Sequence, residues 1–383
     1  MQELNFVRYG RLEWRERPDP VLLEATDALV RPFVASRCDG DVLPIHRPVS
    51  RAMQAGLKAG LIDPVVASIV GPVPFQGPFG IGHECIAQVI AAGDAVTGIA
   101  VGDVVVVPWA LSCGTCRECR LGLTAKCSTM SAASPGRTLA AFGFGPATGA
   151  WGGMVADSLR IPFADHMLVR VPDGVDPLRV AAASDNLADA WRAVVPPLAE
   201  RPSGSVLVIG GGGKSIGLYA AGLAVRHGAA VVDYVDHSDT RLEIAASFGA
   251  NARKVEKGRR TSPITGAEGR YDVVVEASST ATGLRAAVRA LRPGGVCTGT
   301  GYYLARGTKV PVMAMYATSA TLKVGVSHVR PVLPELLAFV ATSGFPAERV
   351  TTLLAEWDDA PEAYAARTTK LVLHRPPLDL GTA

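Results

Sequence analysis

The segment SVLVIGGGGKSIGLYAAGLA, residues 205–224, sets the fold of the second half of the chain. An apolar run is followed by consecutive glycines and then by apolar residues at helical spacing. Strand, glycine turn and helix in this order predict a dinucleotide-binding turn, because glycines let the backbone approach a pyrophosphate and the helix N-terminus offers it unpaired N–H groups. A tight strand-to-helix turn without a ligand is the alternative.

The glycines of this turn are irregularly spaced. The pattern G-x-G-x-x-G cannot be placed on residues 210–217 without a gap or a missing glycine, and G-x-G-x-x-x-G fits better. Lys214, within the turn, either contacts phosphate or faces solvent. The residues that we expect to contact a cofactor here are Gly211, Gly213, Ser215, Ile216 and Gly217.

The next strand-like run, VVDYVD, ends in Asp236, 23 residues after Gly213. A carboxylate at that point accepts hydrogen bonds from the adenosine ribose hydroxyls and repels a 2′-phosphate, which favours NAD over NADP. A solvated turn residue is the alternative. His237 and Arg241, close by, would weaken the preference for NAD.

Strand-like and helix-like runs alternate after residue 205, which predicts a doubly wound parallel sheet. Before it, short β-branched runs such as HECIAQVIAAGDAV (83–96) and VGDVVVVPW (101–109) predict a β-rich domain. Residues 50–70 have helical spacing interrupted by glycine and proline, so we expect one or two short helices there. A further helix, PVLPELLAFVATSG, and a strand, KLVLHRP, end the chain.

Composition excludes several functional classes. A length of 383 residues suits two domains, and 48% hydrophobic with 19% charged residues predicts a folded chain. The net charge of +3 gives no reason to expect a nucleic-acid partner. We see neither an export signal nor an apolar run long enough to span a membrane, so we expect a cytoplasmic protein whose thiols bind metal.

Four of the seven cysteines lie in CGTCRECRLGLTAKC, residues 113–127. Four thiolates on one compact loop predict a closed, tetrahedral, structural zinc site with the ligands Cys113, Cys116, Cys119 and Cys127. An iron–sulfur cluster is less consistent with the spacing, since seven residues precede the last cysteine and Ser128, not proline, follows it. A zinc ribbon for nucleic acid is a second alternative, but the surrounding sequence is not markedly basic.

Other residues competent to bind zinc are dispersed. Cys38 lies in SRCDGD, His83 and Glu84 lie in GIGHEC, and Asp185 lies in AASDNLADAW. Three protein ligands and a water are the pattern of a catalytic zinc. Taken singly, Cys38 is equally well a small buried apolar residue and His83 a core histidine, and spacing alone does not assemble the set.

Together these motifs resemble the zinc-dependent medium-chain alcohol dehydrogenases of the medium-chain dehydrogenase/reductase superfamily, over nearly the whole chain. The resemblance is carried by Cys38 with Asp41, by Gly82–His83–Glu84, by residues 101–104, by the four cysteines, by the glycine turn, by Asp236 with Arg241 and Leu242, and by Lys370–Leu371–Val372. The order of these motifs is more specific than any one of them.

The resemblance implies an α/β protein with two domains. A GroES-like, β-rich catalytic domain would occupy residues 1–187, with the zinc lobe at about 110–130. A Rossmann NAD-binding domain with a doubly wound parallel sheet would occupy 188–328, and residues 329–383 would return to the catalytic domain. Relatives extend their sheet across a dimer near residues 295–301, so a homodimer or homotetramer is implied.

The resemblance also implies the chemistry. Cys38, His83 and Asp185 would ligate a catalytic zinc, Glu84 would lie near the metal and replace its water transiently, and Asp41 would join the catalytic group. Two zinc ions per chain and NAD, with NADP second, are the implied cofactors. The reaction would transfer a hydride between a small alcohol, or an aldehyde or ketone, and NAD(H).

Two features depart from the family pattern. Gly40 stands where relatives place a serine or threonine of the proton relay, so the relay would use water, Asp39, Asp41 or His46; a surface histidine is the alternative for His46. Residues 48–79 resemble an insertion that either caps the substrate pocket or forms an oligomer contact. Aromatic residues that line an apolar pocket or belong to the core are Phe75, Phe79, Trp109, Phe142, Phe144 and Trp151.

Two other functions stay open at this point. A zinc-independent double-bond reductase of the same superfamily normally lacks both the Cys38–His83 pair and the cysteine lobe. A non-catalytic dinucleotide-binding protein would be consistent with Gly40 and the irregular glycine turn. The sequence does not identify the substrate.

Overall fold

The computed structural model describes residues 1–132, 139–256 and 266–379, which form two compact units. Unit 1 contains Met1–Asp185 and His328–Ala383, and unit 2 contains Asn186–Ser327. The expected boundaries, 187/188 and 328/329, differ from these by one or two positions because a helix of unit 2 already begins at Asn186.

The strands are β1 (Gln2–Arg8), β2 (Arg11–Glu16), β3 (Ala28–Ser36), β4 (Phe79–Gly80), β5 (Glu84–Ala92), β6 (Val104–Val107), β7 (Leu159–Ile161), β8 (Val169–Arg170), β9 (Ser205–Ile209), β10 (Val231–Asp236), β11 (Asn251–Lys254), β12 (Tyr271–Glu276), β13 (Leu291–Gly299), β14 (Thr321–Val324), β15 (Leu353–Glu356) and β16 (Leu371–His374).

The α-helices are α1 (Val42–His46), α2 (Val49–Lys58), α3 (Val65–Val70), α4 (Arg117–Arg120), α5 (Ser128–Ala132), α6 (Ala164–Met167), α7 (Asn186–Ala199), α8 (Lys214–Arg226), α9 (Asp239–Ser247), α10 (Ala281–Ala290), α11 (Val312–Thr318), α12 (Val329–Ser343) and α13 (Ala360–Ala365). Among the described residues, none of these helices is both long and apolar enough to cross a membrane.

Unit 1 is built on a mostly antiparallel sheet with the strand order β15–β16–β3–β5–β6–β8. The first six residues of β5, Glu84–Val89, are all buried, so both faces of this strand are covered there. The C-terminal strand β16 pairs antiparallel with β3, so the end of the chain returns to this unit. In the β3–β5 pair Ser36 lies opposite Glu84, so the residues that follow β3 and precede β5 leave the sheet at the same edge.

Unit 2 is a parallel sheet with the strand order β11–β10–β9–β12–β13–β14 and helices in the connections. Strand β9 is buried along its whole length, as a central strand covered on both faces must be. The turn at 210–213 joins β9 to α8, and Asp236 and Glu276 end β10 and β12. The glycine turn and both carboxylates therefore lie at the carboxyl edge, where such sheets bind ligands.

The structure corrects two expectations in unit 2. The helix expected to end at Pro–Gly–Gly already stops at Ala290, because Pro293 cannot donate a helical hydrogen bond. Residues 292–295 belong to strand β13 instead. The strand near 295–301, expected to extend a sheet across a dimer, is paired on both sides, with β12 and with β14. Among the described residues β14, not β13, is the edge strand.

Candidate metal and cofactor sites

Cys38, His83 and Asp185 converge at one edge of the unit 1 sheet. Their ligand atoms all lie within 4.8 Å of one another, and Cys38 Sγ is 3.1 Å from Asp185 Oδ2. Cys38 follows β3 and His83 precedes β5, so the strand pairing brings these two together. Asp185 is brought in by Ser184, whose Oγ accepts from the backbone N–H of Cys85 at 3.1 Å and donates to its carbonyl at 3.0 Å.

The imidazole of His83 is buried, and neither of its nitrogens has a hydrogen-bond partner among the described residues. Asp41 Oδ1 lies 3.5 Å from Nδ1, and Asp185 Oδ2 lies 3.5 Å from Nε2. Burial opposes protonation, but these two carboxylates outweigh it and raise the pKa of His83 to about 9. Burial and the charge of Asp185 raise the pKa of the Cys38 thiol. A buried group of sulfur, nitrogen and oxygen donors with excess negative charge fits a zinc ion.

Glu84 lies outside this donor group. Its Oε2 accepts from Lys370 Nζ and, at 2.5 Å, from Ser36 Oγ, and both charged side chains are fully buried. Lys370 Nζ also donates to the Arg37 carbonyl at 3.1 Å. Glu84 is therefore not part of the group formed by Cys38, His83 and Asp185, and its carboxylate is held in an ion pair.

Lys370 is a buried partner of Glu84 that the sequence does not single out beyond its place in the motif Lys370–Leu371–Val372. A lysine inside an apolar, strand-like run was the available signal. Such a side chain is rarely buried unless it is paired. The sequence did not indicate that its partner lies 286 positions earlier.

The residues considered for a proton relay separate in the structure. Asp41 is buried beside His83, with Oδ2 lacking a hydrogen-bond partner among the described residues. Gly40 donates its backbone N–H to Cys38 Sγ at 3.3 Å. His46 Nε2 lies 3.0 Å from the Ala365 carbonyl in an exposed position. Asp41 is thus placed against His83, whereas His46 contacts the backbone of Ala365.

The four cysteines of the lobe form a second donor group. Their sulfur atoms lie within 4.8 Å of one another. The seven residues before Cys127 hold the end of α4 and a 3₁₀ turn at Thr124–Lys126, which turns the chain back toward the first three cysteines. The turn therefore accounts for the seven residues that separate Cys119 from Cys127.

Backbone N–H groups point at the sulfurs of the lobe. Cys116 N–H donates to Cys113 Sγ at 3.3 Å, and Cys113 N–H donates to Cys127 Sγ at 3.3 Å. Burial opposes ionisation of Cys113, but hydrogen bonds with Thr129, Thr115 and the Cys116 backbone outweigh it and lower the pKa of this thiol to about 5. Cys113 therefore favours the thiolate, the form that binds metal.

The glycine turn of unit 2 is shaped by close backbone contacts. Gly211 has φ +147°, and a Cβ there would lie 2.9 Å from Ser278 Cα. The N–H of Gly213 donates to the Ala277 carbonyl at 2.7 Å, and α8 begins at the next residue. At Gly217 a Cβ would be in ordinary contact with Val208, so the structure leaves room for a small side chain at this glycine.

Ser215 and Ile216, both expected to contact a cofactor, have buried side chains. Ser215 Oγ donates to Asn186 Oδ1 at 2.8 Å and is fully buried. Ile216 is 7% exposed. The first turn of α8 faces the protein interior with these two side chains, so a phosphate at this turn would meet backbone N–H groups, whereas Lys214 in the same turn is half-buried.

Asp236 is buried, and its carboxylate is saturated with hydrogen bonds. Arg241 donates to both oxygens, at 2.7 and 2.6 Å, and the Tyr234 hydroxyl donates at 2.9 Å. The backbone N–H groups of His237 and Ser238 complete the set. Burial opposes ionisation, but the Arg241 bonds outweigh it and lower the pKa of Asp236. The expected ribose acceptor is ionised, yet its charge is offset by a guanidinium.

Two of the six aromatic candidates lie next to the first donor group. The Phe144 ring stacks on the His83 ring with centroids 4.5 Å apart, and Trp109 packs against Phe144 at 5.5 Å. The others belong to the hydrophobic core of unit 1 or pack against it, namely Phe75, Phe79, Phe142 and Trp151.

Two family models match the chain. The alcohol dehydrogenase GroES-like domain matches residues 25–173, within unit 1. The zinc-binding dehydrogenase model matches residues 215–342, which begin in unit 2.

Similar proteins span most of the chain. "Probable zinc-binding alcohol dehydrogenase Rv1895" of Mycobacterium tuberculosis is 30% identical over 298 residues, which cover 77% of this chain and 73% of that protein. "Probable D-xylulose reductase A" of Aspergillus fumigatus is 25% identical and covers 95% and 93%. The solved structure of alcohol dehydrogenase TADH from Thermus sp. ATN1 is 29% identical, with a TM-score of 0.78 and coverage of 98% and 99%.

Proposed function

This chain belongs to the medium-chain dehydrogenase superfamily, among the zinc-binding alcohol dehydrogenases, and on that basis we propose that it transfers a hydride between an alcohol and NAD. The membership and the GroES-like and Rossmann-like α/β fold confirm the family and the fold class predicted from the sequence. The convergence of Cys38, His83 and Asp185 is the observation that carries the proposal.

The catalytic zinc would be held by Cys38 Sγ, His83 Nε2 and an Asp185 oxygen. Zinc bound there supplies Lewis acidity, which polarises the carbon–oxygen bond of the substrate. Asp41 faces the other ring nitrogen of His83 and favours the tautomer with a proton on Nδ1, which leaves Nε2 free for metal. Lys370 holds Glu84 in an ion pair outside the donor group, which leaves the fourth position open for substrate.

The second zinc would be held by Cys113, Cys116, Cys119 and Cys127 and would be structural, since four protein ligands leave no position for a substrate. Its role would be to fix the path of residues 113–127.

NAD is the proposed redox cofactor, and it supplies the hydride acceptor and donor. The turn at 210–213 and the N-terminus of α8 would bind the pyrophosphate, and Asp236 would face the adenosine ribose. Because Arg241 offsets the charge of Asp236, the repulsion of a 2′-phosphate is weaker than a free carboxylate would exert. We therefore expect NADP to be used as well, with lower efficiency.

Metal analysis and a dehydrogenase assay test the proposal together. Purified protein should contain two zinc ions per chain and reduce NAD with small alcohols, and a chelator that removes the less tightly held zinc should abolish turnover. Two zinc ions without turnover on a broad alcohol and aldehyde panel would favour a non-catalytic dinucleotide-binding protein. Turnover that persists in zinc-free protein would favour a zinc-independent reductase.

A further inference from the structure

We propose that Phe144 is a positioning residue that fixes the imidazole plane of His83 for metal binding, an inference that rests on the proposed catalytic zinc site. The two ring centroids are 4.5 Å apart and the planes differ by 25°, which is a stacked arrangement. Phe144 itself contributes no donor atom. Its effect would be exerted through His83.

The His83 ring needs such a restraint because its polar contacts are long. A metal-bound histidine is normally oriented by a hydrogen bond from its second ring nitrogen. Here both nearby carboxylate oxygens, of Asp41 and Asp185, lie 3.5 Å from the ring nitrogens, beyond the distance of a good hydrogen bond. Rotation of a histidine about χ2 has only a broad preference. The contact on the ring face is therefore the close restraint on its plane.

Phe144 can act in this way because its backbone is locked to the residues beside His83. It forms an antiparallel bridge with Ile81. The preceding residue, Gly143, packs so closely on Gly82 that a Cβ at 143 would lie 2.4 Å from the Gly82 carbonyl oxygen. One backbone contact between two glycines thus sets the positions of both rings, each of which is the next residue along its segment.

Trp109 supports the stack from the side. Its ring lies 5.5 Å from that of Phe144 at 56°, and it is 5% exposed. Its carbonyl accepts the N–H of Phe142 at 3.1 Å, which ties the two segments together. Phe144 is half-buried, so a smaller apolar side chain there can be accommodated without opening the core of unit 1.

The test is the rate at which zinc leaves the purified holoprotein for an excess of a chromogenic chelator. Two phases are expected, one for each donor group, and Asp185→Asn identifies the catalytic one by abolishing it. Phe144→Leu should accelerate that phase by about ten-fold, the lower range for loss of a group that orients a metal ligand. It should leave the four-cysteine phase unchanged. Phe144→Tyr keeps the stacked ring and should restore the wild-type rate.

Trp151→Leu is the matched control, because Trp151 is a half-buried aromatic of the same unit that contacts Phe142 and not His83. It should leave both phases at the wild-type rate. A second readout is the visible spectrum of protein with cobalt in the catalytic site. Phe144→Leu should shift the bands, whereas Phe144→Tyr should not.

Two results would overturn the inference about Phe144 but not the proposed metal site. One is a wild-type rate of zinc release in Phe144→Leu. The other is equal acceleration of both phases, which would indicate that the variant destabilises unit 1 as a whole. A wild-type protein that releases zinc only from the four cysteines would overturn the proposed metal site and this inference with it.

Discussion

The sulfur of Cys38 lies 3.1 Å from a carboxylate oxygen of Asp185, although 147 positions separate the two residues. Ser36 and Ser184 hold the two segments in place. Ser36 Oγ lies 3.2 Å from the Ala181 carbonyl, and Ser184 bonds to the backbone of Cys85. These hydrogen bonds among the protein's own groups therefore position Cys38 and Asp185.

Replacing Asp185 should remove the catalytic metal. Asp185→Asn keeps the shape of the side chain but loses the anionic ligand, so we expect one zinc per chain instead of two. We expect kcat/KM for alcohol oxidation to fall by more than about 100-fold. Asp173→Asn, at an exposed position, is the control and should keep both ions. Two zinc ions in Asp185→Asn would contradict the assignment of this ligand.

Replacing Cys127 should remove the other zinc and destabilise the protein. Cys127→Ser leaves three thiolates, so we expect loss of that ion and a Tm lower by about 5 °C or more in calorimetry. Cys297→Ala changes a buried thiol outside both donor groups and should keep two zinc ions. An unchanged metal content in Cys127→Ser would show that the lobe does not hold zinc through this residue.

Removing the guanidinium that pairs with Asp236 should increase the preference for NAD over NADP. Arg241→Gln removes the guanidinium that offsets the carboxylate, so the charge repels a 2′-phosphate more strongly. We expect the ratio of kcat/KM for NAD to that for NADP to rise about ten-fold, which corresponds to about 1.4 kcal/mol. Arg306→Gln, exposed and in the same unit, should leave the ratio unchanged. An equal or lower ratio in Arg241→Gln would refute this account of Asp236.

Tyr271 should make unit 2 sensitive to alkali. Burial and the bond to Asp233 raise the pKa of Tyr271 to about 12, above the value of about 10 of an unfolded chain. The native state therefore holds the proton more tightly, and the free energy of unfolding falls as the pH rises from about 10 to about 12. Tyr271→Phe should flatten this decline in urea unfolding curves.

The control for Tyr271→Phe is the same substitution at an exposed tyrosine. Tyr9→Phe changes an exposed side chain and should keep the wild-type slope between pH 10 and pH 12. If Tyr271→Phe and the wild type lost stability equally over this interval, another group would be responsible.

The edge of the unit 2 sheet should form a homodimer contact. Helix α11, which contacts β13 and precedes the edge strand β14, has no buried residue, and Met313 and Tyr316 are 74% and 80% exposed. Apolar surface of this kind, next to an open strand edge, favours association. Light scattering should give a dimer or a tetramer, and Tyr316→Asp should lower the mass.

Leu61→Asp is the control for Tyr316→Asp. Leu61 is 69% exposed and lies in residues 48–79, the other segment proposed as an oligomer contact. It should leave the mass unchanged. Dissociation by Leu61→Asp but not by Tyr316→Asp would place the contact in that segment, and a monomeric wild type would remove the oligomer altogether.

The sequence predicts those features that depend on residues close together in the chain. The strand, glycine turn and helix at 205–224 and the cysteine spacing at 113–127 each describe one compact piece of chain. Contacts between segments that are far apart in the chain could not be predicted from residue spacing. Cys38, His83 and Asp185 could be grouped only through a family resemblance, because nothing in their spacing reveals that β3 pairs with β5.

The missed features share this cause. Neither the ion pair of Lys370 with Glu84 nor the hydrogen bond of Ser215 to Asn186 could be inferred from local pattern, since each depends on which strands and helices become neighbours. The saturation of Asp236 by Arg241 spans only five positions, yet it depends on how the first turn of α9 packs against the end of β10. Such packing leaves no distinct signature in the spacing of residue types.

The pairing of β16 with β3 has a consequence for biosynthesis. Unit 2 is one continuous piece of chain and can fold as soon as residue 327 has left the ribosome. Unit 1 cannot, because Glu84 is made early and its buried counter-charge, Lys370, is made 286 positions later. The part of the protein that is translated first is therefore completed last, and a nascent chain stopped before residue 370 would lack the counter-charge of a carboxylate that is buried in unit 1.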